Sequence, residues 1–482
     1  MKHSLFPLSL GATLLASAAF AAPATQQGAD DLTAVFQSYL GTTAGVVTVQ
    51  PTGESYAVKL DLGALASKIP AEAGASFVLS PLDLQLVDNG DGTWGVSYDQ
   101  AVSLNLSIPN AMDISMSIGN AKGQGTFDTA LKAFATSSAD TTDFAVVENI
   151  VDPAMGTANV SYHIDQAHWE SSATAGNAGA NVTMNALMTG LTESFTVLSP
   201  DLPMDISLAA ETYALDANIT DYRTDKVLEL VAFFVANPSQ EAVVGQQAAF
   251  KEILSAGLPL FEHMTMNGQL ANVTAATPMG PASAAALGVE FEANGIVSDG
   301  MVREAFNVSG LTLPEGLVPE WAKDLVPHGL TIDFKLSRFD LATPVKLALE
   351  VLDLAANPPI PDEKGPELLA LLLPEGVADI TIAPGATDAP AYQLTYEGVL
   401  TTGPETMPTG KASISLTGME AIQAALQSAP PEIAGQAMMG VGLISGMGRP
   451  GANGELIWDL EATSDGKVLI NGVDMSMMMG GQ

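Results

Sequence analysis

The feature that most restricts how this chain can fold is a long-running alternation of apolar and polar residues. Tyr56, Val58, Leu60 and Leu62 alternate with Ala57, Lys59 and Asp61, and Leu82, Leu84 and Leu86 with Asp83 and Gln85. Trp94, Val96 and Tyr98 follow the turn Asp88-Asn89-Gly90-Asp91-Gly92. Two further sets come next, Val102, Leu104, Leu106 and Ile108, then Met112, Ile114, Met116 and Ile118. The pattern returns at Leu330, Ile332, Phe334 and Leu336, at Tyr392, Leu394 and Tyr396, at Ile414 and Leu416, and at Leu456, Trp458 and Leu460. Successive side chains of a strand point to opposite faces, so each set puts apolar groups on one side and polar groups on the other. Gly, Asn and Asp turns between short runs predict an antiparallel meander with one dry face.

Helical sequence interrupts the alternation. The spacing predicts helices over Thr224 to Asn237, with Thr224 as cap and Pro238 as stop, and over Ala242 to Glu262, kinked at Pro259. A third is expected over Thr343 to Asn357, with Thr343 as cap and Pro344 at the first helical position. Glu367 to Leu373, Met419 to Ser428 and Glu432 to Ser445 complete the set. Asp221-Tyr222-Arg223 leads into a helix ending Ala236-Asn237-Pro238, and Arg338-Phe339-Asp340 into one ending Ala356-Asn357-Pro358. Either a duplicated strand-then-helix unit or chance likeness between two amphipathic helices accounts for the pair. The expected class is therefore α+β and β-rich: extended or curved antiparallel sheets, with a few amphipathic helices on one face. Pro-rich stretches at Thr277 to Ser283 and Asn357 to Pro366 read as linkers. They suggest a boundary near residue 280 between β-rich domains at 22–280 and 281–482.

The N-terminus reads as an export signal. Met1-Lys2-His3 is a short basic start, Leu5 to Phe20 is apolar, and Ala19-Phe20-Ala21 places small residues where a signal peptidase cuts. Removal of 1–21 and an exported, periplasmic chain are the expectation, with a secreted or outer-surface protein as the alternative. No later stretch is long and apolar enough for a transmembrane helix. There is no Cys, so stability must come from burial without disulfides. The chain carries 17 Lys+Arg against 54 Asp+Glu, a formal charge of −37. Such a field repels phosphate backbones and anionic lipid surfaces, so nucleic acid is excluded as a partner. With 47% hydrophobic residues the chain still has material for a core.

A search for reactive groups finds little. No Gly-x-Ser-x-Gly occurs, and Ser464-x-x-Lys467 sits on an Asp-Gly turn, where a hairpin tip is expected. His163 and His168 lie in the densest polar-aromatic stretch, Ser161 to Glu170. Their separation of five would point them to opposite faces of a strand, which argues against a metal. Asp88 to Gly92 lacks the acidic spacing of a calcium loop. Met475 to Met479 offers thioethers suited to Cu(I), but reads more simply as a flexible apolar end. Gly440 to Gly446 misses the third glycine of a dinucleotide loop and lies in helical sequence. No catalytic, cofactor-binding or metal residue is assigned, and no cofactor is expected.

The signal, the alternation over Leu82 to Ile118, the stretch Gly123-Gln124-Gly125-Thr126-Phe127-Asp128 and the closing segment Trp458 to Gly472 resemble the DUF2125 proteins, exported and uncharacterised proteins of alphaproteobacteria. The chain is more loosely similar to DUF945 and AsmA-like envelope proteins. That likeness implies long curved sheets with apolar grooves and supplies no catalytic residues. The expectation is a non-enzymatic envelope protein that binds a lipid or other hydrophobic ligand on an apolar sheet face, with Leu104, Leu106, Ile114 and Met116 as the place to look. A structural or protein-interaction role without a small ligand is the alternative, and a carboxylate-based hydrolase the third.

Overall fold

A computed structural model of the chain describes residues 23–66, 76–152, 156–198 and 204–475. The expected signal at 1–21 and the methionines beyond Met475 lie outside the described residues.

The N-terminal part runs α1 (Gln26–Leu40), β1 (Val47–Thr52), β2 (Ser55–Leu60), α2 (Gly63–Ala66), β3 (Ser76–Leu79) and β4 (Leu82–Asp88). Six long strands follow: β5 (Thr93–Ile108), β6 (Met112–Asp128), β7 (Ala133–Asp152), β8 (Gly156–Ala175), β9 (Ala180–Leu198) and β10 (Met204–Tyr222). Helices α3 (Thr224–Ala236), α4 (Gln240–Gly245) and α5 (Gln247–Gly257) precede β11 (His263–Thr277), β12 (Gly280–Asn294), β13 (Gly300–Ser309) and β14 (Gly329–Phe339). Then come α6 (Ala342–Val351), α7 (Gly365–Leu372), β15 (Ala378–Ala389), β16 (Tyr392–Gly403) and β17 (Thr406–Thr417). The chain continues through α8 (Met419–Gln427), α9 (Pro431–Met447), β18 (Arg449–Pro450), β19 (Leu456–Ala462), β20 (Val468–Ile470) and β21 (Val473–Asp474).

All strands join one antiparallel sheet. From β4 to β17 each strand pairs with the next in sequence, so the β-rich meander expected from the alternation is what forms. The stretch read as a linker at residue 280 is instead a tight hairpin. Thr277 pairs with Gly280, and the β11–β12 ladder runs without a break from Val273 opposite Ala284 up to that turn.

Several helix details differ from expectation. Thr224 does not cap α3; its hydroxyl donates to the Leu131 carbonyl at 2.7 Å, tying the helix start to another turn. Thr343 lies inside α6, and Asp340 acts as the cap, accepting from the Thr343 N–H at 2.9 Å and from its hydroxyl at 2.6 Å. Pro344 is accordingly the third residue of α6, not the first. The single kinked helix over 242–262 is two helices, with Leu258 extended ahead of Pro259. This is the backbone a residue before proline prefers. Helix α1 was not expected, although Ala29, Leu32, Phe36 and Leu40 recur at helical spacing and Thr25 caps it through the Gly28 N–H. Asp221 and Arg338, each just before a helix, both have positive φ, 52° and 67°.

Following the ladder divides the sheet into an apolar and a polar face. Helix α1 covers the apolar face at the first strands, where Ala29 and Leu32 bury Val49, Tyr56, Val58, Leu60 and Leu86. Clusters around Ile164, Ala167, Ala186 and Met188, and around Leu191, Ala210, Val273 and Ala284, continue it across β8–β12. The core is thin: Val46 and Val58 are the largest fully buried side chains among the described residues. The accessible area of the chain is 27981 Å², against about 17,000 Å² for a compact protein of this mass.

One irregularity crosses the sheet. Gly119, Asp143, Asp165, Gly190, Glu211, Asn272 and Ala285 lie opposite one another on successive strands, and each drops out of the ladder at the same level. Gly310, the residue after β13, closes the row against Ala285. Every second member, Asp143, Gly190, Asn272 and Gly310, has positive φ between 52° and 68°. Gly, Asn and Asp adopt that conformation at least cost. The extra residue exchanges the faces of odd and even positions, so Ile164 and Ala167 are buried on the same side. At Gly190 a Cβ would lie 2.0 Å from the Asp165 carboxylate. Gly190→Val is therefore expected to lower stability by about 1–3 kcal/mol, and Asn272→Gly to change it far less. Urea unfolding midpoints of the two variants check this.

Candidate functional site

The apolar face is the most distinctive surface of the molecule. Its columns can be followed through the register. Leu104 pairs with Met116 and Leu106 with Ile114, so the four residues singled out from the sequence do come together on one face. Phe77 and Leu79 adjoin them from β3, and Val146 from β7. All four are half-buried.

Further along, the same face lies open. One row runs Met266, Phe291, Glu304, Phe334 and Ile382, each opposite the next. A neighbouring row runs Gly268, Val289, Phe306 and Ile332, and another Leu336, Ile380 and Leu400. Met266, Val289, Phe306, Phe334, Leu336 and Leu400 keep between 37% and 44% of their surface in water. Large contiguous patches of this kind on a folded surface mark sites of interaction. The five strands of the first row span about 19 Å, the reach of an extended lipid acyl chain.

The electrostatics of the two faces differ. Among the described residues, the apolar columns of β5–β17 contain no Lys or Arg. Lys122, Arg303, Lys335 and Lys411 alternate onto the polar face. There Lys122 lies 3.4 Å from Asp99, and Arg303 contacts Asp333 at 2.8 Å and Glu290 at 2.9 Å. The Asp333 carboxylate in particular holds the Arg303 guanidinium charged, pushing its pKa up. Three carboxylates stand in the apolar columns, Glu148, Glu193 and Glu304. Burial, and then the charge of Glu193, raises the pKa of the Tyr162 phenol, its register neighbour. Glu304 is exposed between Phe291 and Phe334.

The polar face carries shallow depressions instead of a closed pocket. Two adjoining ones, of about 640 and 750 Å³, share Ser97, Gln124 and Ser138 and are otherwise lined mostly by hydroxyl, amide and paired charged groups. His168 stands nearby, its Nδ1 2.7 Å from Asp140 and its Nε2 3.4 Å from Glu170. Hydrogen bonding to Asp140, then to Glu170, raises its pKa. The expectation that His163 and His168 face opposite ways is overturned. The extra residue at Asp165 breaks the alternation between them, so both project from the polar face, His163 towards Asp165 at 3.5 Å. They remain on either side of the irregular row with different acids. Among the described residues no group of three or more His, Asp or Glu is placed to hold a metal ion.

Leu330, Ile332, Phe334 and Leu336 are visible in the sequence as one alternating set. Met266, Val289 and Phe306 are not, because their strands mix in Gly268, Gly288, Ala305 and Asn307. Comparison with protein-family models, curated proteins and solved structures found no match.

Proposed function

We propose that this is a non-enzymatic protein of the bacterial envelope, exported to the periplasm, that holds a lipid or other hydrophobic ligand on the apolar face of its sheet. The observation that carries this reading is the open stretch from Met266 to Leu400. It presents large apolar side chains half in water over six successive strands, with no cationic group among them. A protein that only needed a core would cover such a face, as α1 does at the first strands. Leu104, Leu106, Ile114 and Met116 stand on the same face of the sheet, but across the irregular row and separated from the open stretch by the buried clusters of β8–β10. The resemblance to DUF2125 and AsmA-like envelope proteins is consistent with this role. The left-handed residue ahead of both α3 and α6 supports reading the two strand-to-helix passages as copies of one unit.

The test is native mass spectrometry with lipid extraction, on protein purified without detergent from the periplasm. Co-purifying lipid at a defined stoichiometry is the expected result. A clean apo mass, with an apolar face that takes up no added lipid, would replace this reading with the structural or protein-interaction role.

A further inference from the structure

We propose that α9 seats this protein on the surface of an uncharged or zwitterionic lipid bilayer, with one long side of the helix sunk into the boundary between head groups and acyl chains. The helix is held to the protein along a narrow stripe. Ala434, Met438, Val441 and Ser445 recur at helical spacing and are half-buried, and the Trp458 indole N–H donates to the Ile444 carbonyl at 3.0 Å. The rest of the circumference faces water. Ile433 is 45% exposed, Met439 77%, Leu443 59% and Ile444 49%. A surface helix ordinarily fills that arc with charged and polar residues. Here Glu432 and Gln436, near the helix start, are the polar side chains on the exposed arc, and glycines 440, 442 and 446 fill the space between the large apolar ones.

The geometry favours a helix that lies on a bilayer over one that crosses it. Seventeen residues extend about 25 Å, short of a span, and no described helix is long and apolar enough to cross a membrane. Charge selects the occupant. α9 has no Lys or Arg to attract anionic lipid, and the chain's charge of −37 opposes both an anionic surface and the face-to-face approach of a second copy. A bilayer without net charge meets neither penalty. This inference stands on α9 alone and does not depend on what the sheet face binds.

Co-sedimentation of the full chain with phosphatidylcholine vesicles tests it. The wild type is expected to sediment with the vesicles, and less so as phosphatidylglycerol replaces phosphatidylcholine. Met439→Gln with Leu443→Gln is expected to lower partitioning at least tenfold with an unchanged circular dichroism spectrum. Gly442→Leu, at a position where a Cβ meets nothing within 4 Å, is expected to raise it several-fold. Wild type that stays in the supernatant, or a double variant that sediments equally well, overturns the proposal. So does a wild-type dimer that the double variant converts to monomer without any vesicle binding, which would assign the arc to a second copy. A Phe306→Gln variant is expected to keep vesicle binding, which separates this outcome from the fate of the ligand reading.

Discussion

Phe306→Gln combined with Phe334→Gln is expected to weaken the binding of a hydrophobic fluorescent probe by about 30-fold. Both rings already keep more than 40% of their surface in water, so a ligand would bury only the remainder. Complete burial of such a side chain contributes about 1.5–3 kcal/mol, which leaves about 1 kcal/mol for each ring. The two together give about 2 kcal/mol, or about 30-fold in affinity. The same half-exposure means the fold should lose little, so the thermal midpoint is expected to move by only a few degrees. Val147, 42% exposed on the opposite face, provides the control: Val147→Gln should leave probe binding as it was. Equal probe affinity in the double variant and the wild type would show that the ligand sits elsewhere.

Trp458→Ala is expected to cost about 3–5 kcal/mol, the largest single-site loss predicted for this chain. Trp458 is 6% exposed and stands in the apolar column of β19, opposite Ile414 of β17. Its ring also lies close beneath Gly448, the residue that ends α9. Truncation would leave a cavity in a part of the sheet with few other buried groups, and it would free the last turn of α9. Trp458→Phe keeps most of the packing and removes only the bond to Ile444, so about 1 kcal/mol is expected. Urea midpoints give the stabilities, and hydrogen exchange over 431–447 reports whether α9 loosens. Faster exchange in the Ala variant without change elsewhere is the anticipated pattern. Unchanged exchange there would mean that α9 is held by α8 alone.

Alternation at Val102–Ile108 and Met112–Ile118 was enough to identify two strands and to set their apolar residues on one face, because period two is a local property of the backbone; that Leu104 lies opposite Met116 came from the pairing. Helix α1 was missed and α6 stops at Val351 instead of Asn357, but α3, α8 and α9 were legible within a few residues, because helical spacing is local too. The caps were not: Thr224 and Thr343 look like caps in isolation, but Leu131 and Asp340 compete for their hydroxyls. The relation of His163 to His168 failed on one added residue. Asp165 is an unremarkable strand residue until Gly190 is laid beside it.

What the sequence determined alone is the chemistry of each strand: which residues are greasy, which are charged, and that no thiol accompanies them. What tertiary structure decided is how those strands add up. The eight residues from Gly119 to Gly310 are far apart in the chain and become one feature only when pairing aligns them. Whether an apolar residue is core or open surface was likewise settled between elements. Val58 is sealed under α1 and Phe334 is left in water, though both belong to equally clear alternating sets. Periodicity reports the direction of a side chain, whereas burial depends on what the rest of the chain brings to meet it.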